Sequence, residues 1–576
     1  MGYIKMTGGE ALVRTLQAEG VRYVFGNPGT TEIPLMDALE NVEDIQYVTA
    51  LFEGVAVGMA DAYARSTGKP SFVNLHISVG IANGLSLIYN AWRGGTPMVI
   101  TAGQADTKIH LHNPTLYSNM VNVMREYTKW AGEVTHPGDV APIMRRAFNI
   151  AATPPTGPVF VSLPWNALVG EDHIAVNSPL EVSRGRPDSD LVGQAATILK
   201  NSSKPIILIG DRVAQSIGAP DAIGKFASLL GAPVYALSYS EVNIPSSHPL
   251  YMGSVYTSWL SPRYKALIDN ADVAIAIGAD LVTQMMPTPP VFSESTTLVH
   301  VDAHASEIGK TYTPKVGISG DIKVAVDELT HRLQGILQDQ DRDVIRKRSE
   351  AINAEKLDSK SNLATKVSSS QSKRPMSPDV MMSALAKALP NDAIVCNDAI
   401  SNSGALLTAI ETDNPGDLFS TRGGSLGWGM PGALGLKLAS PDRPVVAVVG
   451  DGSAMYTIQS LWTSVVFEIP VVYIICNNKS YRILKQAMER YLAHSEKKSQ
   501  YIGLDFDKKP LDFVKMAQAF DMKGVRVESP DELIAAVKTA LASKQTEIID
   551  VVLDGAIDSQ ALRSDWRSWE DYDLLQ

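Results

Sequence analysis

Short apolar runs ended by Gly, Pro, Asp or Asn recur along this chain at the spacing of strands joined through helices. "VRYVFGNPG", "IQYVTAL", "PSFVNLH", "PMVITAG" and "GPVFVSLP" alternate with helical stretches from residue 8 to about 185. A second series, "KPIILIG", "APVYAL", "VAIAIGA" and "TLVHVD", runs on to near residue 335. A third follows Pro378: "AIVCND", "PVVAVVGDG", "PVVYIICNN" and "EIIDVVLDG". Alternation of this kind folds as βαβ units around parallel sheets. With 576 residues the chain is too long for one core. The expected fold is α/β, three domains each with a central mostly parallel sheet flanked by helices, over residues 1–185, 186–340 and 377–558. Residues 341–376 are charged and then rich in Ser and Lys, which reads as a linker, helical at first and then loose; residues 559–576 form a tail.

Local signals sharpen this outline. Thr7-Gly8-Gly9-Glu10 reads as a capping box opening a helix that Gly20 closes, and "FEGVAVGMADAYARSTG" as a helix closed by Gly68. The net charge of -11 argues against a general binder of nucleic acid or anionic membranes. Cys396 and Cys476 sit in apolar runs, the pattern of buried thiols in a reducing compartment rather than of disulfides or a zinc site. No apolar stretch approaches the roughly 20 residues of a membrane span, and the N-terminus lacks the apolar core of a signal peptide. A cytoplasmic location is expected.

The stretch "VVGDGSAMYTIQSLWTSVVFEIPVVYIICNNKSY" carries the chemistry. Asp451 and Asn478 stand after apolar strands, where parallel sheets bind ligands. The residues between read as one helix, "TIQSLWTSVVFEI", broken by Pro470, so the two strands are parallel neighbours and their polar ends converge. A carboxylate and an amide oxygen are hard ligands suited to Mg²⁺. Gly450 and Gly452 let the backbone approach a diphosphate, and the helix start offers amide donors. Taken singly, Gly-Asp-Gly and Asn-Asn are ordinary turns; paired at matched strand ends they favour the metal reading.

Gly-Asp-Gly, this spacer and Asn-Asn together resemble the signature of thiamine diphosphate enzymes. The resemblance implies that Asp451, the Asn478 side chain and the Ser480 carbonyl hold Mg²⁺ against the diphosphate, with Gly450, Gly452, Ser453 and Tyr481 around it. The three-domain order is similar to the pyruvate oxidase and decarboxylase branch, with pyrimidine-binding, central and diphosphate-binding domains. Glu53 matches that family's glutamate beside the aminopyrimidine. It lies in "LFEGVAVGMADAYA", a helix start apolar on all sides, where burial is expected and an ionisable group is costly unless paired; a frayed helix end facing water is the plainer reading. In "GGSLGWGMPGALG" the resemblance implies that the Gly424 carbonyl meets the aminopyrimidine and that Leu426 wedges the bent cofactor. Asn397 and Ser401 serve either the diphosphate or the capping of their own turn.

Over the first 170 residues the chain resembles benzoylformate decarboxylases in "FGNPGTTEIPLMDAL", "ALFEGVAVGMADAYA", "FVNLH" and "NAWRGGTPMVITAGQ". His76 matches their first active-site histidine, and Thr30 falls where they carry a serine that touches the substrate carboxylate. Gln104, at the end of the last stretch, is a candidate pocket residue. Their second histidine has no counterpart: "TQMMPTPP" puts Gln284 or Met285 there. After Asn478, "KSYRILKQAMERYL" is longer-chained and more polar than an aryl pocket. The spacing of Tyr481, Ile483, Leu484 and Met488 lines one face of a helix, toward a substrate or into a core. Trp566, Trp569 and Tyr572 in the tail suit a lid or a subunit contact.

The resemblance implies decarboxylation of a 2-oxo acid to an aldehyde and CO2 through a C2-ylide and an enamine, with Glu53 in the proton relay and His76 carrying protons. An acetolactate-synthase-like carboligase is the alternative the missing histidine favours. A 2-hydroxyacyl-CoA lyase is another, with Arg212, Arg263 and Lys265 as candidates to grip a nucleotide. Joint retention of Glu53, Asp451 and Asn478 argues against a non-catalytic homologue. The resemblance also implies a homodimer at minimum, and usually a homotetramer, because different subunits bind the two ends of one cofactor.

Overall fold

The computed structural model describes residues 2–179, 183–255, 268–281, 292–493 and 495–564. Its N-terminal third holds β1 (Ile4–Thr7), β2 (Tyr23–Gly26), β3 (Gln46–Thr49), β4 (Ser71–Leu75), β5 (Met98–Gln104), β6 (Trp130–Glu133), β7 (Pro158–Pro164) and β8 (Glu171–Ile174). Six of these form a parallel sheet in the order β3-β2-β4-β5-β7-β6, while β1 and β8 pair as an antiparallel ribbon. The middle third holds β9 (Pro205–Ile209), β10 (Val234–Ala236), β11 (Tyr251–Ser254), β12 (Val273–Ile277), β13 (Thr297–Asp302) and β14 (Val316–Ser319), parallel in the order β11-β10-β9-β12-β13-β14. The last third holds β15 (Ile394–Asp398), β16 (Leu418–Ser420), β17 (Val445–Gly450), β18 (Val472–Asn477), β19 (Lys523–Val527) and β20 (Glu547–Val552), parallel in the order β16-β15-β17-β18-β20-β19. These are the three mostly parallel, helix-flanked sheets expected from the alternating pattern. The central strands read as unbroken apolar runs because both faces are covered by helices.

Each sheet reverses its strand order next to a central strand, and the loops beside such a reversal open a crevice at the carboxyl ends of the strands. In the N-terminal sheet the reversal lies between β2 and β4, so the segments after Gly26 and after Leu75 flank it. In the C-terminal sheet it lies between β15 and β17, so Asp398 and Gly450 flank it. The middle sheet reverses between β9 and β12, and there Arg212 closes the crevice: it donates to Asp302 at 2.8 Å and to Asp280 at 2.6 Å. Arg212 is thus committed to two carboxylates and is not free to grip a nucleotide; Arg263 and Lys265 lie outside the described residues.

The local signals form as their chemistry dictates. Helix α1 (Gly8–Ala18) opens on Thr7 with both bonds of the capping box, and Gly20 follows it with φ 73°. Helix α2 (Glu53–Thr67) ends at Gly68 in the left-handed conformation. Helix α3 (Ile77–Gly94) follows β4 directly. The linker departs from expectation: helix α4 runs unbroken over Asp339–Ser370. No Gly or Pro interrupts it, and basic side chains fasten its polar surface. Arg348 donates to the Leu230 and Gly231 carbonyls, Lys356 to those of Ser246 and His248, and Lys360 and Lys366 pair with Glu411 and Asp379.

Helix α5 (Gly429–Ala439) packs along α2 so closely that a side chain at Gly435 would strike the Met59 carbonyl. A buried ion network joins all three parts of the chain beside this contact. Arg65 of α2 donates to Glu241 at 2.7 Å and to the Ser240 and Ser420 carbonyls, and Arg422 donates to the same Glu241 at 2.7 Å. Asp61 accepts from the Trp428 indole at 2.7 Å. Every charge here is paired, as burial requires. Both thiols are free and buried, and among the described residues no helix is long and apolar enough to cross a membrane.

Candidate active site

Strands β17 and β18 are parallel neighbours with Gly450 opposite Cys476, so Asp451 and Asn477 leave the sheet side by side. The crossover between them is not the single helix expected. It is two short helices, α6 (Asp451–Ala454) and α7 (Ser460–Val466), with Thr457 between them anchored to the Gly427 carbonyl at 2.6 Å. Asp451 is buried and receives the Gly452 amide at 2.8 Å and the Lys479 amide at 2.6 Å. Burial pushes its carboxyl up to about 6 despite these bonds. The two asparagines divide the work. Asn477 is buried and donates to Asp550, whereas Asn478 is half-buried and its Oδ1 accepts from the Ser480 amide and hydroxyl. Ser480 and Tyr481 are held by a short antiparallel contact with residues 504–506, Tyr481 donating to the Leu504 carbonyl at 2.8 Å.

This corner suits a small hard cation and a phosphate. Among the described residues no group of three or more His, Cys, Asp or Glu forms a metal cage. The oxygens on offer are one carboxylate, one amide and backbone carbonyls, a set that leaves a Mg²⁺ ion to draw its other ligands from phosphate and water. A side chain at Gly450 would meet little and one at Gly424 nothing within 4 Å, so both glycines border open space. A cavity of about 400 Å³ opens beside Gly452 and Tyr481, lined also by Met455, Asp505, Phe506, Lys508, Lys509 and Leu511.

The other nearby candidates are committed to the frame. Asn397 is buried, donates to Ser420 and accepts from the Ala399 amide and the Ser403 hydroxyl, which is the turn-capping alternative. Ser401 is half-buried on the turn that follows. The Ser453 hydroxyl accepts from the Gly427 amide and donates to Asp398 at 2.5 Å. Asp398 also accepts from the Gly429 amide, and burial pushes its carboxyl up to about 6. Asp398 and Ser453 thereby fix the loop carrying Gly424 and half-buried Leu426 to the start of α6. Asp398 follows Asn397 in "CND", and only the fold reveals its part.

The second cluster lies at the N-terminal sheet. Glu53, the first residue of α2, is buried at 5% exposure, so the frayed-end reading fails. Its Oε2 accepts from Asn83 of α3 at 2.9 Å, and its Oε1 lies against Gly80. His76 immediately precedes α3, and its Nδ1 donates to Glu32 at 2.8 Å. Glu32 is 1% exposed and also accepts from the Gly29 and Gly103 amides and the Thr31 hydroxyl. Thr30 is exposed at the mouth of the same loop. Sequence reasoning missed Glu32 and Asn83. Glu32 sits three residues past Gly29 at a helix start, the one local signal that could have marked it.

The pocket candidates separate. Gln104 is buried, with its amide spent on the Ser118 carbonyl and the Ala105 amide, so it faces no open pocket. Met285, with Gln284, lies outside the described residues, as do Trp566, Trp569 and Tyr572. Helix α8 (Arg482–Tyr491) leaves Leu484 48% and Met488 36% exposed with Ile483 half-buried, so this apolar face is not packed into the core of its own chain. Helix α9 (Ser559–Ser564) leans on α8. There Arg563 donates to buried Glu489 at 2.7 Å and to the carbonyls of Ser495 and Lys497, and Tyr501 donates to the same carboxylate.

Comparison with known proteins agrees with this geometry. Three family models match in order: the N-terminal TPP binding domain of thiamine pyrophosphate enzymes over residues 6–121, their central domain over 192–329, and their C-terminal TPP binding domain over 400–551. The chain is 29% identical over 548 residues to benzoylformate decarboxylase of Pseudomonas aeruginosa, covering 93% of this chain and 97% of that protein. It is 28% identical to the acetolactate synthase isozyme 3 large subunit of Escherichia coli, covering 96% and 95%. Benzoylformate decarboxylase from Polynucleobacter necessarius superposes with a TM-score of 0.82 at 27% identity, covering 96% of this chain and 99% of that one. The 4-hydroxybenzoylformate decarboxylase of Rhodococcus jostii also scores 0.82, at 26% identity, covering 96% and 100%. With all three domain models matched in order, the chain belongs to the thiamine diphosphate-dependent enzymes.

Proposed function

We propose that the protein is a Mg²⁺- and thiamine diphosphate-dependent decarboxylase of a 2-oxo acid, releasing an aldehyde and CO2. The single observation that carries this reading is the His76–Glu32 pair beside the Glu53 helix. Asp451, Asn478 and the Ser480 carbonyl would hold Mg²⁺ against the diphosphate, and the cofactor so placed would supply an acidic carbon and an electron sink for the pair left when a carboxylate departs. Glu53, buried and steadied by Asn83, would hold or return a proton at a ring nitrogen of the bound pyrimidine. Glu32 accepts from Nδ1 of His76 and so leaves Nε2 to exchange a proton with the reacting substrate. Thr30 offers a hydroxyl to the substrate carboxylate, and Ile483 and Leu484 supply apolar wall.

Geometry along α2 and α3 supports a site completed by a second copy of the chain. Glu53 meets Gly80 and Asn83 near the start of α3. The loop holding Gly424 is tied to Asn90 and Gly94 near its end, and to Asp61 on α2. At 1.5 Å per residue these stretches of α2 and α3 stand about 10 Å or more apart, so Glu53 and the Gly424 turn sit toward opposite ends of the two helices. The assembly we propose is a homodimer at minimum, in which the second copy brings its Glu53 to this turn, or a homotetramer built from two such dimers.

The commitment of Arg212 to Asp280 and Asp302 weighs against the acyl-CoA lyase reading. Carboligation is the nearer rival, because the E. coli relative is an acetolactate synthase. Incubating the holoenzyme with benzoylformate, pyruvate and branched 2-oxo acids, while following CO2 and aldehyde together, separates them. Equal amounts of both support the decarboxylase, CO2 without aldehyde supports the carboligase, and neither product overturns both. Glu53→Gln is expected to lower turnover by at least about 100-fold while leaving the melting-temperature rise on adding thiamine diphosphate and Mg²⁺ in place.

A further inference from the structure

Residues 421–425 form a turn whose apex, Gly423 and Gly424, stands exposed with φ of 76° and 94°. These angles are open to glycine and strained for other residues, so the backbone here does not choose its conformation by local preference. Asn90, 1% exposed on α3, spans the two ends of the turn. Its Nδ2 donates to the Thr421 hydroxyl at 3.2 Å and to the Ser425 carbonyl at 2.9 Å, while its Oδ1 accepts from the Ser425 amide at 3.0 Å. A side chain at Gly423 would come within 2.7 Å of that same Oδ1, so the glycine admits the amide. Within the turn, Arg422 donates to the Gly94 carbonyl at 2.6 Å.

We infer that Asn90 is a positioning residue for the cofactor: by stapling both ends of the turn it fixes the Gly424 carbonyl that receives the aminopyrimidine amine. This rests on the thiamine diphosphate reading and adds to it a residue on helix α3 of the N-terminal domain, more than 300 positions away. Only an amide suits the place, because the turn presents a carbonyl and an amide at once and the side chain must both donate and accept. A carboxylate keeps only the acceptor, and an apolar side chain removes all three bonds to the half-buried Thr421 and Ser425. The staple comes from the chain that holds the diphosphate, so it tunes the cofactor pocket from behind without touching the cofactor.

The test compares wild type, Asn90→Ala and Thr128→Ala. The last removes a buried hydrogen bond to the Met124 carbonyl elsewhere in the same domain and serves as the control for general destabilisation. Titration calorimetry with thiamine diphosphate at saturating Mg²⁺ is expected to show affinity weakened about tenfold or more for Asn90→Ala. Near-ultraviolet circular dichroism of the bound cofactor is expected to change only in that variant, because the pyrimidine amine loses a fixed acceptor. Wild-type affinity and spectrum in Asn90→Ala overturn the inference. So does an affinity loss matched by Thr128→Ala with an unchanged spectrum, which is a structural effect only. Wild-type protein that binds no thiamine diphosphate overturns the cofactor reading itself, and the inference with it.

Discussion

His76 Nδ1 and Glu32 Oε2 lie 2.8 Å apart although 44 residues separate them in the chain. The pair fixes which histidine nitrogen faces the open loop, and Glu32 is itself held by two backbone amides and a hydroxyl. Glu32→Gln keeps the shape but turns one acceptor oxygen into a donor. We expect kcat to fall about 100-fold with a smaller change in KM, since the histidine loses its orientation rather than the substrate its site. Steady-state kinetics on the 2-oxo acid that the protein turns over best would check this, and an unchanged kcat would remove His76 from the proton path.

Asp451 gives a signed pH dependence. Its folded carboxyl sits at about 6, raised by burial from an ordinary 3.8. Between those values the folded apoprotein holds a proton that the unfolded chain releases. Apoprotein stability therefore falls as pH rises from about 4 to about 6, and Asp398 acts in the same direction. Metal binding has the opposite sign, because Mg²⁺ needs the carboxylate. Mg²⁺ affinity is expected to drop about tenfold for each pH unit below about 6, read by calorimetry at pH 7 and pH 5. Equal affinity at the two values would exclude Asp451 as the ligand.

Arg563 closes the chain's last described helix onto α8. Burial works against the Glu489 charge, but bonds from Tyr501 and Arg563 outweigh it and hold the carboxyl below its usual range. Arg563→Ala leaves that acid without its cation and frees the carbonyls of Ser495 and Lys497. A local loss of about 1–3 kcal/mol is expected, confined to residues 482–503. Hydrogen exchange is the direct readout: faster exchange there with the rest of the chain unaffected is the expected pattern. Unchanged exchange in that segment would show that the tail does not brace α8.

Lys479 follows Asn478 with φ 58°, in the left-handed region, while its amide serves Asp451. Lysine is strained there and glycine is not. Lys479→Gly is expected to raise stability by about 0.5–1 kcal/mol after the greater freedom of glycine in the unfolded chain is set against the relief. Urea unfolding of the apoprotein measures it, and a loss of stability would mean that the lysine side chain makes a contribution larger than the strain.

Sequence alone determined what depends on near neighbours. The alternation of apolar runs and helical stretches specified three parallel sheets, since period and burial are written residue by residue. Thr7 and Glu10 specified a helix start, Gly68 a helix end, and the apolar surroundings of Glu53 its burial. Tertiary structure decided what depends on residues far apart, because no spacing rule records which distant side chains a fold brings together. It joined Glu32 to His76 and Asn90 to the turn before Ser425, a pair 335 residues apart. It closed the middle crevice with Arg212, spent Gln104 on a neighbouring carbonyl, and carried helix α4 through a stretch whose composition looked loose. Those outcomes turn on buried donors finding acceptors, a requirement that becomes visible only when all three sheets are in place.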